Sequence, residues 1–229
     1  MRAARGPGSP VSALIVFDLD GTLVDSLGDL TDSANELLVR HGARPLDDDA
    51  VAGMIGDGVA SLVRRVLAAR AIEAQPIDAV DEFLAIYDRR LLDRTRPYEG
   101  IPEALDALRR RAALAVLTNK PAAATGRILE GLGLRPSFQW VIGGDSRHGR
   151  KPGPGGLQAI MGAAGSGPDT TVLVGDSAVD VETARAAATR VCIARYGFGF
   201  RTRPPEALRG DELFIDSPDD LPRVLGVVG

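Results

Sequence analysis

The sequence DLDGTLVDS, residues 18–26, directly follows the apolar run ALIVF of residues 13–17. A short, β-branched run without polar alternation is typical of a strand buried on both faces of a parallel sheet. Asp18 and Asp20 then stand two residues apart at the strand end, where they can face the same way, and Gly21 permits a tight turn. An isolated pair of aspartates indicates only a solvated loop, but the full string directly after a buried strand favours a functional site.

Four further apolar runs follow along the chain, and helical patterns separate them. The runs cover residues 114–117, 139–142, 171–174 and 191–194. The helical patterns cover residues 102–111, 121–132, 156–164 and 180–188. Strands that alternate with helices in this way predict βα units, and right-handed crossovers place the helices on both faces of the sheet. We therefore predict an α/β fold with a doubly wound, Rossmann-like parallel sheet.

The segment 27–94 interrupts this alternation because it contains no convincing strand. Its apolar residues recur at helical spacing, beginning with Leu30, Ala34, Leu37 and Leu38. We predict an α-helical cap domain at 27–94, inserted into an α/β core formed by residues 13–26 and 95–229. Residues 1–12, rich in Gly, Pro and Arg, are expected to be a mobile tail and lack the apolar centre of a secretory signal.

Composition excludes several classes of protein. Apolar residues make up 45% and charged residues 25%, which indicates a globular chain, and the net charge of −4 argues against a nucleic-acid partner. The longest apolar run, residues 112–117, is too short to span a bilayer. The single cysteine, Cys192, allows neither an intrachain disulfide nor a thiolate metal cage. We expect a cytoplasmic monomer or homodimer with no membrane partner.

Two other groups of polar residues follow or neighbour the predicted strands. Thr118 and Asn119, at the start of a predicted helix, can bind a phosphate, although they can equally serve as a helix cap. Lys151 lies in the proline-stiffened loop KPGP, and its compact charge can neutralise a carboxylate and a phosphate. The chain has only one other lysine, Lys120, so the rarity of this residue type favours a function over an exposed surface charge.

The string GDSAVD, residues 175–180, follows another predicted strand. Asp176 and Asp180 are four residues apart and share a face if a helix starts here. Their carboxylates suit a hard divalent cation such as Mg²⁺, although Asp176 or Ser177 can also act as a helix N-cap. Because open α/β sheets bind ligands at the carboxyl ends of their strands, these signals together predict one site at that edge.

The four motifs, DLDGTLVDS, LTNK, Lys151 with Pro152, and GDSAVD, resemble those of the haloacid dehalogenase-like superfamily, over essentially the whole chain after the tail. Within it, the strings IGDG, VIGGD and YGFG are most similar to the bacterial phosphoglycolate phosphatases. This resemblance implies Mg²⁺-dependent hydrolysis of a small phosphorylated metabolite through an aspartyl-phosphate, with 2-phosphoglycolate as the expected substrate.

The resemblance also implies a role for each residue. Asp18 would be the nucleophile, and Asp20 the general acid and base. The groups that would hold Mg²⁺ are Asp18, Asp176 and the backbone carbonyl of Asp20. The residues that would bind phosphate or substrate are Gly21, Thr118, the Asn119 amide, Lys151, Gly56 and Arg65, with Arg65 gripping the substrate carboxylate. The residues that would support them are Ser177 and Asp180, the latter orienting Lys151 or metal-bound water.

Several alternatives stay open at this point. Asp20 argues against a dehalogenase, and the absence of lysine from residues 27–94 argues against a phosphonate hydrolase that uses a Schiff base. A phosphatase or phosphomutase acting on a sugar phosphate, a nucleotide or pyrophosphate remains possible, as does, more remotely, a non-catalytic phosphate-binding module. The third motif, KPGPGG, lacks the bulkier residues expected after its second proline, and the helix after GDSAVD lacks the usual glycine before the next strand. These two departures weaken the assignment to a subfamily.

Overall fold

The computed structural model describes residues 13–73, 76–206 and 208–226, so the predicted tail of residues 1–12 lies outside the described part. Six strands form the main sheet: β1 (Leu14–Phe17), β4 (Ala113–Leu117), β5 (Trp140–Ile142), β6 (Thr171–Gly175), β7 (Arg190–Ala194) and β8 (Leu213–Ile215). They run parallel in the order β5-β4-β1-β6-β7-β8, which confirms the doubly wound α/β fold. Strand β1 lies where the order reverses, the usual ligand-binding point of such sheets.

Helices connect and flank these strands. They are α5 (Ile101–Leu108), α6 (Ala122–Gly131), α7 (Gly155–Ala164), α8 (Ala178–Ala186), α9 (Phe198–Thr202) and α10 (Leu221–Val224). In β1, Leu14 and Val16 pack in the cluster that contains α7 and α8, whereas Ile15 and Phe17 pack in the cluster that contains α5 and α6. Burial on both faces explains why the first strand is a continuous apolar run.

The five strands expected from the sequence are all present, each within one residue of its expected ends. Three short strands were not predicted. One is β8, an edge strand of three residues; the others are β2 (Val24–Asp25) and β3 (Arg96–Pro97), which pair antiparallel with each other. Strands this short carry no periodicity that a sequence pattern can reveal.

Four helices occupy the segment between β2 and β3, which we call the helical insert (residues 27–94). They are α1 (Leu27–Arg40), α2 (Asp48–Ala52), α3 (Val59–Ala68) and α4 (Pro76–Arg90). Helix α1 packs against the other three, and α3 also packs against α4. The apolar residues of the insert and those of one sheet face form one continuous buried cluster, so the insert lies directly on the core.

The two chain crossings between core and insert are tied together. The β2–β3 ladder pairs Val24 with Pro97 and Asp25 with Arg96. Asp29, fully buried at the start of α1, accepts hydrogen bonds from the backbone amide of Thr95 at 2.8 Å and from its hydroxyl at 2.6 Å. A buried carboxylate needs such partners, so Asp29 fixes where the insert returns to the core. No helix in the described ranges has the length and apolarity needed to cross a membrane.

Candidate active site

The carboxyl ends of β1, β4 and β6, with the residues that follow them, form what we call the core edge. Asp18 follows β1, Thr118 follows β4, and Asp176 follows β6. All three side chains belong to buried residues and line one cavity. Parallel pairing of β1 with both β4 and β6 brings these three strand ends side by side.

Lys151 lies under the cavity and joins two carboxylates. Its Nζ lies 2.8 Å from Asp18 Oδ1 and 2.6 Å from Asp180 Oδ1, with only 2% of the side chain exposed. Burial alone lowers the pKa of a lysine, but the charges of Asp18 and Asp180 outweigh it and raise the pKa of Lys151 above its usual value. Lys151 is therefore a fixed positive charge beside the proposed nucleophile.

The side chain of Asn119 fixes the backbone of that lysine. Its Oδ1 accepts from the amide of Lys151 at 2.8 Å, and its Nδ2 donates to the carbonyl of Lys151 at 3.0 Å. The same Nδ2 donates to the carbonyl of Gly56 in the helical insert at 2.9 Å. Asn119 thus connects the core edge, the loop that carries Lys151 and the insert. Phosphate binding by its backbone amide, its expected role, does not involve these side-chain contacts.

Asp18, Asp176 and Asp180 form an acidic cluster in which one oxygen from each lies within 4.8 Å of the others. Burial, followed by repulsion from Asp180 and Asp18, raises the pKa of Asp176 well above its ordinary value. Burial raises the pKa of Asp18 to about 6, although Lys151 opposes the shift. Three buried carboxylates face a single ammonium here, an imbalance that a divalent cation with oxygen ligands would remove. The residues present therefore fit a metal ion.

Neighbouring groups hold these carboxylates in place. Asp176 Oδ2 accepts from the amide of Gly199 at 2.8 Å. Asp180 Oδ2 accepts from the hydroxyl of Ser177 at 2.6 Å and from its amide at 3.1 Å, which leaves Oδ1 for Lys151. Gly21 has a φ of +82°, and a Cβ there would lie 2.0 Å from Asp176 Oδ2. Only glycine allows the first loop to pass so close to Asp176.

Asp20 has different surroundings from Asp18. Lys120 Nζ lies 2.9 and 3.0 Å from its two carboxylate oxygens, and the hydroxyl of Ser26 donates to Oδ1 at 2.5 Å. Neither Lys120 nor Ser26 was among the expected site residues. The signal for Lys120 was available, since it is one of the two lysines and lies in the LTNK motif. Ser26 also lies in a motif, as the last residue of DLDGTLVDS, but nothing in the sequence indicated its contact with Asp20.

The cavity above the core edge has a volume of about 70 Å³. Its floor is polar, and the insert lines its roof with the side chains of Leu30, Ile55, Val59, Leu62, Phe83, Leu84 and Tyr87. Gly56 and Gly58 line it as well. Of the residues expected to bind phosphate or substrate, Thr118, Asn119 and Gly56 thus line the cavity.

Arg65 is not brought to the cavity, contrary to the expectation that it grips a substrate carboxylate. Its Nη1 donates to the carbonyl of Met54 at 2.8 Å, and its Nη2 pairs with Asp57. Both partners belong to the loop of residues 53–58 that carries Gly56. In this structure the guanidinium braces that loop and does not line the site.

Fold and site together define an enzyme with a carboxylate-rich centre at the switch point of a doubly wound sheet. Residues 15–194 match the family model of the haloacid dehalogenase-like hydrolases. The chain belongs to this family.

Relatives of known name cover nearly the whole chain. The phosphoglycolate phosphatase of Rhodospirillum rubrum is 40% identical over 221 residues, which cover 93% of this chain and 90% of that protein. The plasmid-encoded phosphoglycolate phosphatase of Cupriavidus necator is 39% identical over 94% of each chain. Among solved structures, a predicted phosphoglycolate phosphatase from Haemophilus somnus superposes with a TM-score of 0.84 at 30% identity, covering 95% of this chain and 99% of that one.

Proposed function

We propose that the protein is a cytoplasmic, Mg²⁺-dependent phosphatase that hydrolyses 2-phosphoglycolate to glycolate and phosphate. The observation that carries the proposal is the pair Asp18 and Asp20, two carboxylates on one loop with different partners. Asp18 lies in the acidic cluster beside Lys151, and Asp20 lies outside that cluster beside Lys120. Hydrolysis through a covalent intermediate needs such a pair, because one carboxylate must attack phosphorus and the other must move a proton. The names of two relatives about 40% identical support the choice of substrate.

In the first step, a carboxylate oxygen of Asp18 attacks the phosphorus atom. The bond between phosphorus and the ester oxygen breaks, its electron pair goes to the departing glycolate oxygen, and that oxygen takes a proton from Asp20. The Thr118 hydroxyl, the Asn119 backbone amide and the Lys151 ammonium would bind the phosphoryl oxygens. Lys151 also offsets the repulsion between Asp18 and the phosphate dianion.

In the second step, water attacks the phosphorus of the aspartyl-phosphate while Asp20 takes its proton. The bond from phosphorus to Asp18 breaks, and phosphate and the free carboxylate are released. Lys120 and the Ser26 hydroxyl both donate to the Asp20 carboxylate and hold it in position for the two proton transfers.

The carboxylates of Asp18 and Asp176 and the backbone carbonyl of Asp20 would hold the Mg²⁺ ion. When bound, the ion supplies positive charge that polarises the phosphoryl group and balances the excess of buried carboxylates. Asp180 is bonded to Lys151 and Ser177 and would orient the lysine.

The size of the cavity supports a small substrate. A volume of about 70 Å³ accommodates on the order of five water molecules. The apolar roof also leaves few polar groups for the hydroxyls of a sugar.

The test is phosphate release by the purified protein with Mg²⁺ against a panel of phosphate monoesters and pyrophosphate. We expect the highest kcat/KM for 2-phosphoglycolate, and loss of activity when a chelator removes the metal. A higher kcat/KM for a sugar phosphate, a nucleotide or pyrophosphate would contradict the proposed substrate. Activity that survives complete metal removal would contradict the proposed cofactor.

A further inference from the structure

Lys120 is a buried cation that makes a further contact besides its salt bridge to Asp20. Its Nζ contacts both oxygens of Asp20 and also lies 4.7 Å from the centroid of the Tyr87 ring, which belongs to α4 of the insert. Among the described residues that line the cavity, Lys120 is the single cationic side chain. An anionic substrate group that points away from the core edge would therefore pair with the ammonium of Lys120.

Tyr87 adds a free hydrogen-bond donor at the same place. The residue is 4% exposed and lines the cavity. Its neighbour Lys120 can only donate, so among the described residues the hydroxyl proton has no acceptor. Leaving a buried hydroxyl unpaired costs about 1–3 kcal/mol, so such a group indicates a missing partner. An acceptor bound near Lys120 would be that partner.

The chemistry of the proposed reaction places a carboxylate there. Asp20 gives its proton to the ester oxygen, so that oxygen must lie within hydrogen-bond distance, about 3 Å, of the Asp20 carboxylate. Lys120 Nζ is 2.9–3.0 Å from the same carboxylate. In 2-phosphoglycolate the carboxylate carbon is only two bonds from the ester oxygen. A substrate in line for attack by Asp18 therefore carries its carboxylate to the side where Lys120 and Tyr87 lie.

We propose that Lys120 and Tyr87 form the specificity site that binds the carboxylate of the leaving group, the ammonium as its counter-ion and the phenol as its hydrogen-bond donor. This inference rests on the proposed function and names the residues that select its substrate. The ligand class is a short phosphorylated 2-hydroxy acid. A longer chain would carry its anionic end away from Lys120, and the insert offers it mainly apolar lining side chains.

Lys151 already shows, in the same site, one ammonium shared between two carboxylates. Its ammonium bridges two buried carboxylates at 2.8 and 2.6 Å. An ammonium has three N–H donors, so Lys120 can bridge Asp20 and a substrate carboxylate in the same way. Because Lys120 belongs to the core and Tyr87 to the insert, a bound carboxylate would also hold the two parts together.

The test compares two substrates that differ in one group. Ethyl phosphate has a methyl group where 2-phosphoglycolate has its carboxylate, so the ratio of the two kcat/KM values measures recognition of that carboxylate. Tyr87→Phe, which keeps the ring and removes one oxygen, should lower this ratio roughly tenfold, mainly through KM for 2-phosphoglycolate. Lys120→Met should lower the ratio by roughly tenfold or more, and Lys120→Arg should restore part of it.

Lys120→Met also removes a partner of Asp20, so its kcat should fall for both substrates, but this common factor cancels in the ratio. Product inhibition gives a second readout that does not depend on the chemical step. The inhibition constant of glycolate should rise in Tyr87→Phe while that of inorganic phosphate stays the same. Arg64→Ala serves as the matched control for mutation of the insert, since Arg64 is exposed and, within the described ranges, is seen to donate to Ser61 alone.

The outcomes separate this inference from the function on which it rests. A wild-type enzyme that does not prefer 2-phosphoglycolate to ethyl phosphate would overturn both. A wild-type enzyme with that preference, together with variants that lose equal activity on the two substrates, would overturn the inference and leave the function standing. Unchanged glycolate inhibition in both Tyr87→Phe and Lys120→Met would also overturn it.

Discussion

The two halves of the site are built by different means. On the core edge, most charged groups pair with one another. Lys151 connects Asp18 with Asp180, and Lys120 pairs with Asp20. On the helical insert, the lining residues are apolar side chains and two glycines, with the hydroxyl of Tyr87 as the single polar side-chain group among the described ones. The difference teaches that local sequence can place the strand-end residues, whereas the roof of the cavity depends on how the insert packs over them.

The largest effect is expected from a substitution that changes the core edge alone. Asp18→Asn keeps the shape of the side chain but removes the nucleophile, so kcat should fall by roughly 10⁴-fold or more for every substrate. Because the insert is untouched, binding of glycolate should persist, which equilibrium titration would show. Turnover at the wild-type rate would exclude the aspartyl-phosphate mechanism.

A smaller loss should separate the metal site from proton transfer. Asp20→Asn removes the proton carrier but keeps the backbone carbonyl assigned to the metal, so Mg²⁺ should still bind in calorimetry. Turnover should fall roughly 10²–10⁴-fold. If Mg²⁺ binding disappeared while metal-loaded protein kept its turnover, the roles assigned to the side chain and the carbonyl would be reversed.

The positions of the residues on the core edge could be predicted from the sequence, because each lies in a short local string. Asp18, Thr118 and Asp176 directly follow apolar strands, and the parallel sheet brings such positions together without further information. The strands and most helices were predictable for the same reason, since their apolar periodicity is local.

The contacts between core and insert could not be predicted, because they join distant parts of the chain. Tyr87 meets Lys120 across the cavity, and the side chain of Asn119 reaches the carbonyl of Gly56. On α4 alone, Tyr87 is one more apolar position at helical spacing. Arg65 illustrates the same limit. Its place near a glycine-rich loop suggested substrate binding, but in the structure its guanidinium bonds to Asp57 and to the Met54 carbonyl.

The pH dependence of stability should distinguish the acidic cluster from the rest of the molecule. In the metal-free folded protein the pKa of Asp18 is raised from 3.8 to about 6, chiefly by burial. The folded state then holds more protons than the unfolded state, so the contribution of Asp18 to stability is full below pH about 4 and is lost as pH rises through about 6. At neutral pH the ionised Asp18 therefore lowers the free energy of unfolding by about 3 kcal/mol at most.

Denaturant unfolding of wild type and Asp18→Asn in chelator, across this pH range, would measure that cost. Carboxylates elsewhere, such as Glu212, cancel in the difference between the two proteins. As pH rises, the free energy of unfolding of Asp18→Asn should increase relative to that of the wild type. Mg²⁺ should stabilise the wild type more at neutral than at acidic pH. A difference that does not change with pH would mean that the cluster does not strain the metal-free fold.

The smallest expected effect tests where the insert reads the substrate. Arg65 is about one-third exposed and braces the loop that carries Gly56, whose carbonyl accepts from Asn119. Arg65→Ala should loosen this loop and lower kcat/KM by roughly two- to tenfold. Because the guanidinium lies outside the cavity, the loss should be equal for 2-phosphoglycolate and ethyl phosphate, and Arg64→Ala should show neither loss. A loss confined to 2-phosphoglycolate would instead return carboxylate recognition to Arg65, which would require the loop to move and bring the guanidinium into the cavity.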